Sequence, residues 1–128
     1  FVYQRNKNFN SHLNFFRNHK EYFYLPEIPI SVKTNVLAYP IILKSKKINR
    51  KKFQIFLENN NIQTRPIFSG NILRHPAFQH LIKNKKHLNS FINSDYIMKH
   101  GILIGCHQGL KKKHIKYMHN KVLEFINK

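Results

Sequence analysis

Apolar and polar positions alternate along this chain in two distinct rhythms. Residues 3–20 carry Phe9, Leu13 and Phe16 at i, i+4 and i+7 among Asn, Lys, Arg and His, which predicts an amphipathic helix. That helix must end before Leu25-Pro26-Glu27-Ile28-Pro29, because a proline disfavours helical backbone in the residue before it. Val36 to Leu43 (VLAYPIIL) is a nearly continuous, branched apolar run and predicts a strand buried on both faces. Pro40 has no N–H for a ladder, so its position should be an edge or a bulge.

A second helix has a readable start. Asn49 can cap it, and Ile48 and Phe53 are spaced to form a hydrophobic staple. Phe53, Phe56 and Leu57 supply its buried face. Asn59-Asn60-Asn61 should stop it, since asparagine tolerates left-handed backbone. Ile62 to Phe68 (IQTRPIF) predicts a second strand, followed by a turn at Ser69-Gly70-Asn71. A short helix is expected near Pro76–Ile82, with Pro76 in its first turn, and Lys83 to Lys86 should be a solvated loop. Ser94 can cap another short helix, with Asp95 near its positive end and Gly101 as its stop. Ile102-Leu103-Ile104 predicts a third strand. Ile115, Met118, Val122 and Phe125 predict a closing helix over 111–126, whose Lys111-Lys112-Lys113 start opposes the helix dipole. The fold class expected is α+β: a small, mostly antiparallel sheet of about three strands covered by helices.

Composition adds bounds. The 128 residues fit one domain, 1–128, and 41% hydrophobic residues supply a core. No apolar run is long enough to span a membrane. The start, Phe1-Val2-Tyr3-Gln4-Arg5, lacks the order of a signal peptide and an initiator Met, so an internal piece of a longer protein is expected. The single Cys106 excludes an intramolecular disulfide and a thiolate metal cluster made by this chain alone, and suits the cytoplasm.

The net charge of +18 has two readings. Clustered lysines would serve a polyanion partner. Alternatively, Lys, Asn and Ile are inflated together, as a biased genome would make them. With 18 Lys against 5 Arg, scattered over most of the chain, the compositional reading is the better one, since phosphate readers favour Arg.

Little of this sequence looks catalytic. The nine histidines show no metal spacing: His75 and His80, and His114 and His119, are five apart, and His107 and His114 are separated by a Gly and a helix start. Glu58 and Glu124 lie on helix faces expected to be solvated, and Asp95 reads as a helix-start residue, which argues against a paired-carboxylate hydrolase. Cys106 and His107 are adjacent, so on a strand they point apart. Two segments stand out. Thr64 to Phe78 (TRPIFSGNILRHPAF) joins two arginines to a Gly-Asn turn, and Gly101 to Leu110 (GILIGCHQGL) holds three of the four glycines. They are either ordinary loops at strand ends or loops shaping a pocket whose arginines meet an anion.

These two segments resemble the C-terminal small domain of DegT-type pyridoxal-phosphate enzymes, in a "TR…GN…R-x-P" stretch and a "G-x-H-x-G-L" turn, and the resemblance extends over nearly the whole chain. The sequence departs from that pattern at Val36 and Leu37, where Trp or Phe is usual, and at Lys111, where a capping Thr or Ser is usual. The resemblance implies an aminotransferase or 4-keto-6-deoxyhexose 3-dehydratase acting on a nucleotide-linked keto sugar with an amino donor, of the kind used in lipopolysaccharide O-antigen biosynthesis. It implies that pyridoxal phosphate and the catalytic Lys or His belong to a large domain preceding Phe1, and that this chain holds no catalytic, cofactor or metal residues. Its role would be one wall of the cleft, with Arg74, Asn71, Arg65 and His107 as substrate contacts, or with the arginines only bracing the loop. The expected partners are that large domain and a homodimer mate. A stand-alone basic nucleic-acid-binding module, or an inactive remnant, is the alternative. The module would gather its lysines and aromatics on one face, whereas a fragment would scatter its lysines and leave an apolar flank exposed.

Overall fold

The computed structural model describes residues 1–44 and 48–127. Among the described residues five α-helices and four strands follow one another as α1 (Val2–Arg17), β1 (Phe23–Tyr24), β2 (Ala38–Leu43), α2 (Arg50–Asn59), β3 (Thr64–Pro66), α3 (Lys85–Asn89), α4 (Ile92–His100), β4 (Gly101–Gly105) and α5 (Lys112–Ile126). Two 3₁₀ turns, Ile72–Arg74 and Pro76–Leu81, lie between β3 and α3. The strands form one sheet in the order β1-β2-β4-β3, with every neighbouring pair antiparallel. The α+β class therefore holds, with a fourth strand beyond the three expected. Strand β1 is two residues long, too short for any alternation to register.

The core lies between one face of the sheet and the helices α1, α2 and α5. Phe9 and Phe16 from α1, Tyr39, Ile41 and Leu43 from β2, Phe53 and Leu57 from α2, Ile102 and Ile104 from β4, and Ile115, Met118 and Val122 from α5 are its main members. Strand β2 alternates buried and half-buried residues rather than burying both faces, and it begins at Ala38 with Leu37 exposed. Its apolar run is continuous because the second face is only partly covered. Pro40 pairs with Leu103 on one side, while β1 reaches only Ile42 and Leu43 on the other. One edge of β2 is thus open at Pro40, as its missing N–H requires.

Local chemistry sets the helix ends. Asn49 accepts from the Lys52 N–H at 3.0 Å, and Ile48 and Phe53 are both buried. Helix α2 closes in a Schellman arrangement: Ile62 N–H donates to Leu57 C=O at 2.9 Å, Asn61 N–H to Glu58 C=O at 3.0 Å, and Asn61 has φ 57°. Consequently Ile62 belongs to the helix stop, and β3 starts later than its apolar pattern suggests. Phe68, with φ 47°, has left the strand altogether. The segment 83–86 is not wholly loop, because Asn84 accepts from His87 N–H at 2.8 Å and starts α3 at Lys85. Helix α4 begins at Ile92, so Ser94 lies inside its first turn instead of capping it. At the unfavourable start of α5, His114 Nδ1 accepts from Lys111 N–H at 3.1 Å.

Candidate functional site

The four residues singled out from the sequence fall into two places. Arg65 and His107 line one cleft, of about 510 Å³, with Asn61, Gln63, Leu103, Gly105, Leu110, His114, Tyr117 and Met118. Arg65 reaches it from β3, where it pairs opposite Leu103. His107 reaches it from the turn after β4, whose shape is fixed from inside. Gly109 N–H donates to His107 Nδ1 at 3.2 Å and Leu110 N–H to His107 C=O at 3.1 Å. From α1, the buried Asn8 side chain donates to His107 C=O at 2.9 Å and to Leu110 C=O at 3.1 Å. The cleft is mainly apolar, with one permanent cation, two imidazoles, a phenol and the amides of Asn61 and Gln63 at its polar points.

Asn71 and Arg74 meet instead at Asp95. Asn71 is buried; its Oδ1 accepts from Leu73 N–H at 3.1 Å and its Nδ2 donates to Asp95 Oδ1 at 2.7 Å. Arg74 Nε donates to the same Oδ1 at 2.9 Å, and Arg74 Nη2 pairs with Asp95 Oδ2. The Arg74 bonds, then that from Asn71, hold the Asp95 carboxyl down at about 2, against an ordinary 3.8. Gly70, at φ 66°, leads into this cluster in a place no side chain could occupy: a Cβ there would lie 2.4 Å from Met98 Cγ.

Several of these residues escape a linear reading. Asp95 is more than a helix-start residue, and the signal was available, since it is the only aspartate in a chain with 23 basic residues. His107 and His114, seven apart in sequence, share the cleft because the Gly109 turn folds α5 back over the sheet. Glu58 is exposed, yet its carboxylate accepts from Thr64 N–H at 2.5 Å and Thr64 Oγ1 at 2.7 Å, tying α2 to β3. Those Thr64 bonds lower its pKa. Cys106 is fully buried while His107 is exposed, and burial pushes the thiol up to about 11, so the two do not form a nucleophile and base. Among the described residues no group of three or more His, Cys, Asp or Glu could hold a metal ion.

Comparison with known proteins gives a consistent picture. The model of the DegT/DnrJ/EryC1/StrS aminotransferase family matches residues 1–123. Lipopolysaccharide biosynthesis protein RfbH of Salmonella typhimurium is 32% identical over 126 residues, 98% of this chain and 28% of that protein. A dTDP-4-dehydro-2,6-dideoxy-D-glucose 3-dehydratase of Saccharopolyspora spinosa is 36% identical over 73 residues, 57% of this chain and 15% of that protein. This chain thus spans less than a third of either relative. Among solved structures, the E. coli GDP-4-keto-6-deoxy-D-mannose-3-dehydratase with bound hydrated PLP superposes with a TM-score of 0.75 at 22% identity, over 94% of this chain and 30% of that one. Helicobacter pylori PseC, an aminotransferase involved in the biosynthesis of pseudoaminic acid, superposes with a TM-score of 0.79 at 19% identity, over 98% of this chain and 33% of that one. At those identities the structural likeness speaks for the fold.

Proposed function

Since this chain belongs to the DegT/DnrJ/EryC1/StrS aminotransferase family, we propose that it is the C-terminal small domain of a cytoplasmic, pyridoxal-phosphate-dependent enzyme that acts on a nucleotide-linked 4-keto-6-deoxy sugar. The reaction is 3-dehydration in preference to amination. The observation that carries the reading is likeness along almost the entire chain to the Salmonella lipopolysaccharide biosynthesis protein, together with the 3-dehydratase that matches over 73 residues.

In this reading the chain supplies a wall of the substrate cleft, and its own large domain, with the homodimer mate, supplies the rest. The described residues do not themselves fit pyridoxal phosphate. The one aspartate that could face a pyridine nitrogen is engaged by Arg74 and Asn71, and every described lysine is exposed or half-buried. In this reading the cofactor is held by the large domain, as the family resemblance implies. Arg65 and His107 in the cleft, and Arg74 on the loop after β3, are the proposed substrate contacts, while Asn71, buried and bonded to Leu73 and Asp95, braces that loop.

The surface supports a fragment over a nucleic-acid module. Phe9, Phe16, Phe23, Tyr39 and Phe53 are buried in the core and offer no stacking platform, which leaves Phe1, Tyr3, Tyr24, Phe68, Phe78, Phe91 and Tyr117 as the exposed aromatics. Ile30, Leu37, Phe68 and Ile92 are instead left largely exposed, as in a domain that lacks its neighbour.

The test uses the complete protein that contains this chain, loaded with pyridoxal phosphate. It is given nucleotide-linked 4-keto-6-deoxyhexoses with and without glutamate, and products are read by mass spectrometry. Loss of the C3 hydroxyl supports dehydration. Gain of an amine moves the reading to transamination. Unchanged sugars in every combination would sink it.

A further inference from the structure

We infer that Asp95 is a positioning residue: it takes one edge of the Arg74 guanidinium and so presents the opposite edge to an oxyanion of the substrate. This rests on the reading that the intact protein acts on a nucleotide-linked sugar.

A guanidinium is planar and always charged, and carries five N–H donors in fixed directions. Asp95 occupies the side edge of Arg74, through Nε and Nη2. Both Nη1 hydrogens and the second Nη2 hydrogen have no partner among the described residues, and Arg74 is exposed. That free edge is itself a fork, matched to two oxygens of a phosphate or a carboxylate.

Three features make this an oriented receptor. Asp95 sits on α4, and its Oδ1 is shared with the buried Asn71 at 2.7 Å, so the carboxylate cannot swing without breaking its bond to a buried amide. The loop is held in an uncommon shape: Phe68 keeps a left-handed φ of 47°, and Gly70 is pressed against Met98. Lys99, one helical turn beyond Asp95, lends positive charge to the same carboxylate, so a second anion approaches a region that is not dominated by Asp95. The ligand is an oxyanion with two coplanar oxygens, either the diphosphate of the nucleotide sugar or the carboxylate of the amino donor.

The experiment uses the intact protein and the variants Arg74→Lys, Asp95→Asn and the double variant. Affinities for a nucleoside diphosphate and for glutamate are measured by calorimetry, KM and kcat by turnover, and folding by thermal melting. Lysine keeps the charge and loses the fork. Arg74→Lys should weaken one of the two ligands about tenfold or more, and which one it weakens identifies the anion. Asp95→Asn should weaken the same ligand and raise KM with kcat unchanged. The double variant should bind no worse than Arg74→Lys, because Asp95 acts through Arg74. Wild-type affinity for both ligands in Arg74→Lys, with only its melting point lowered, would make the pair a brace and overturn the inference. So would an Asp95→Asn effect that adds in full to that of Arg74→Lys. Failure of the functional reading is separable, because it appears as absent sugar turnover in the wild type whatever the calorimetry of the variants.

Discussion

His12 on α1 and His119 on α5 face each other with Nδ1 and Nε2 3.0 Å apart, while the other nitrogen of His12 meets Gly105 C=O at 3.1 Å. A carbonyl only accepts, so His12 Nε2 carries the hydrogen and His12 Nδ1 accepts from His119. Phe15 stacks on the His119 ring with centroids 4.0 Å apart. Two helices and the end of β4 are thus joined through a pair of neutral imidazoles.

This pair predicts acid lability. Burial lowers His12 from 6.5 to about 4 and His119 to about 3, with His12 and then His19 adding to the second shift. Below pH 6.5 the unfolded chain binds protons that the folded chain refuses, so stability falls as pH falls. Full stability is expected above pH 6.5, with progressive loss towards pH 4 and below. Urea midpoints across that range should show the slope, and His119→Phe should flatten it. An unchanged slope in that variant would assign the acid response elsewhere.

Asn8 should matter more than its position on a surface helix suggests. Its amide donates to the carbonyls of His107 and Leu110, and Gln4 Nε2 donates to its Oδ1 at 3.0 Å. Asn8→Leu leaves those carbonyls without their donor and should cost about 2–3 kcal/mol in urea unfolding. A loss near zero would mean that the turn at 106–110 holds itself.

The Tyr39 hydroxyl runs the other way. The Tyr39 ring packs against Phe9, His12 and Phe16, and its buried hydroxyl makes no hydrogen bond among the described residues. Tyr39→Phe removes an unsatisfied polar atom and should leave stability unchanged or raise it by up to about 1 kcal/mol. A clear loss in denaturant titration would reveal a bond to a buried water.

Gly70 cannot be replaced cheaply. A Cβ would need a left-handed backbone and would overlap Met98. Gly70→Ala is expected to cost about 1–3 kcal/mol. Because Gly70 precedes Asn71, it should also weaken the oxyanion affinity assigned above to Arg74. Calorimetry on the same sample separates the two effects.

The linear sequence determined a good deal of this molecule. Helix α2 was legible at both ends, since an Asn cap, a staple and a left-handed Asn are local devices acting within a few residues. The closing helix and β4 were legible from spacing, because helical and extended backbones put side chains on faces at fixed periods. Likeness of the TRPIFSGNILRHP and GCHQGL segments pointed to the family. Tertiary structure alone decided the rest. Strand β1 exists because Phe23 and Tyr24 find Leu43 and Ile42, a pairing without a local signal. His12, Asn8 and Asp95 take their meaning from partners 107, 99 and 21 residues away in sequence. Each is a polar side chain whose hydrogen-bonding needs are met only after the chain closes, and no spacing along the chain encodes that.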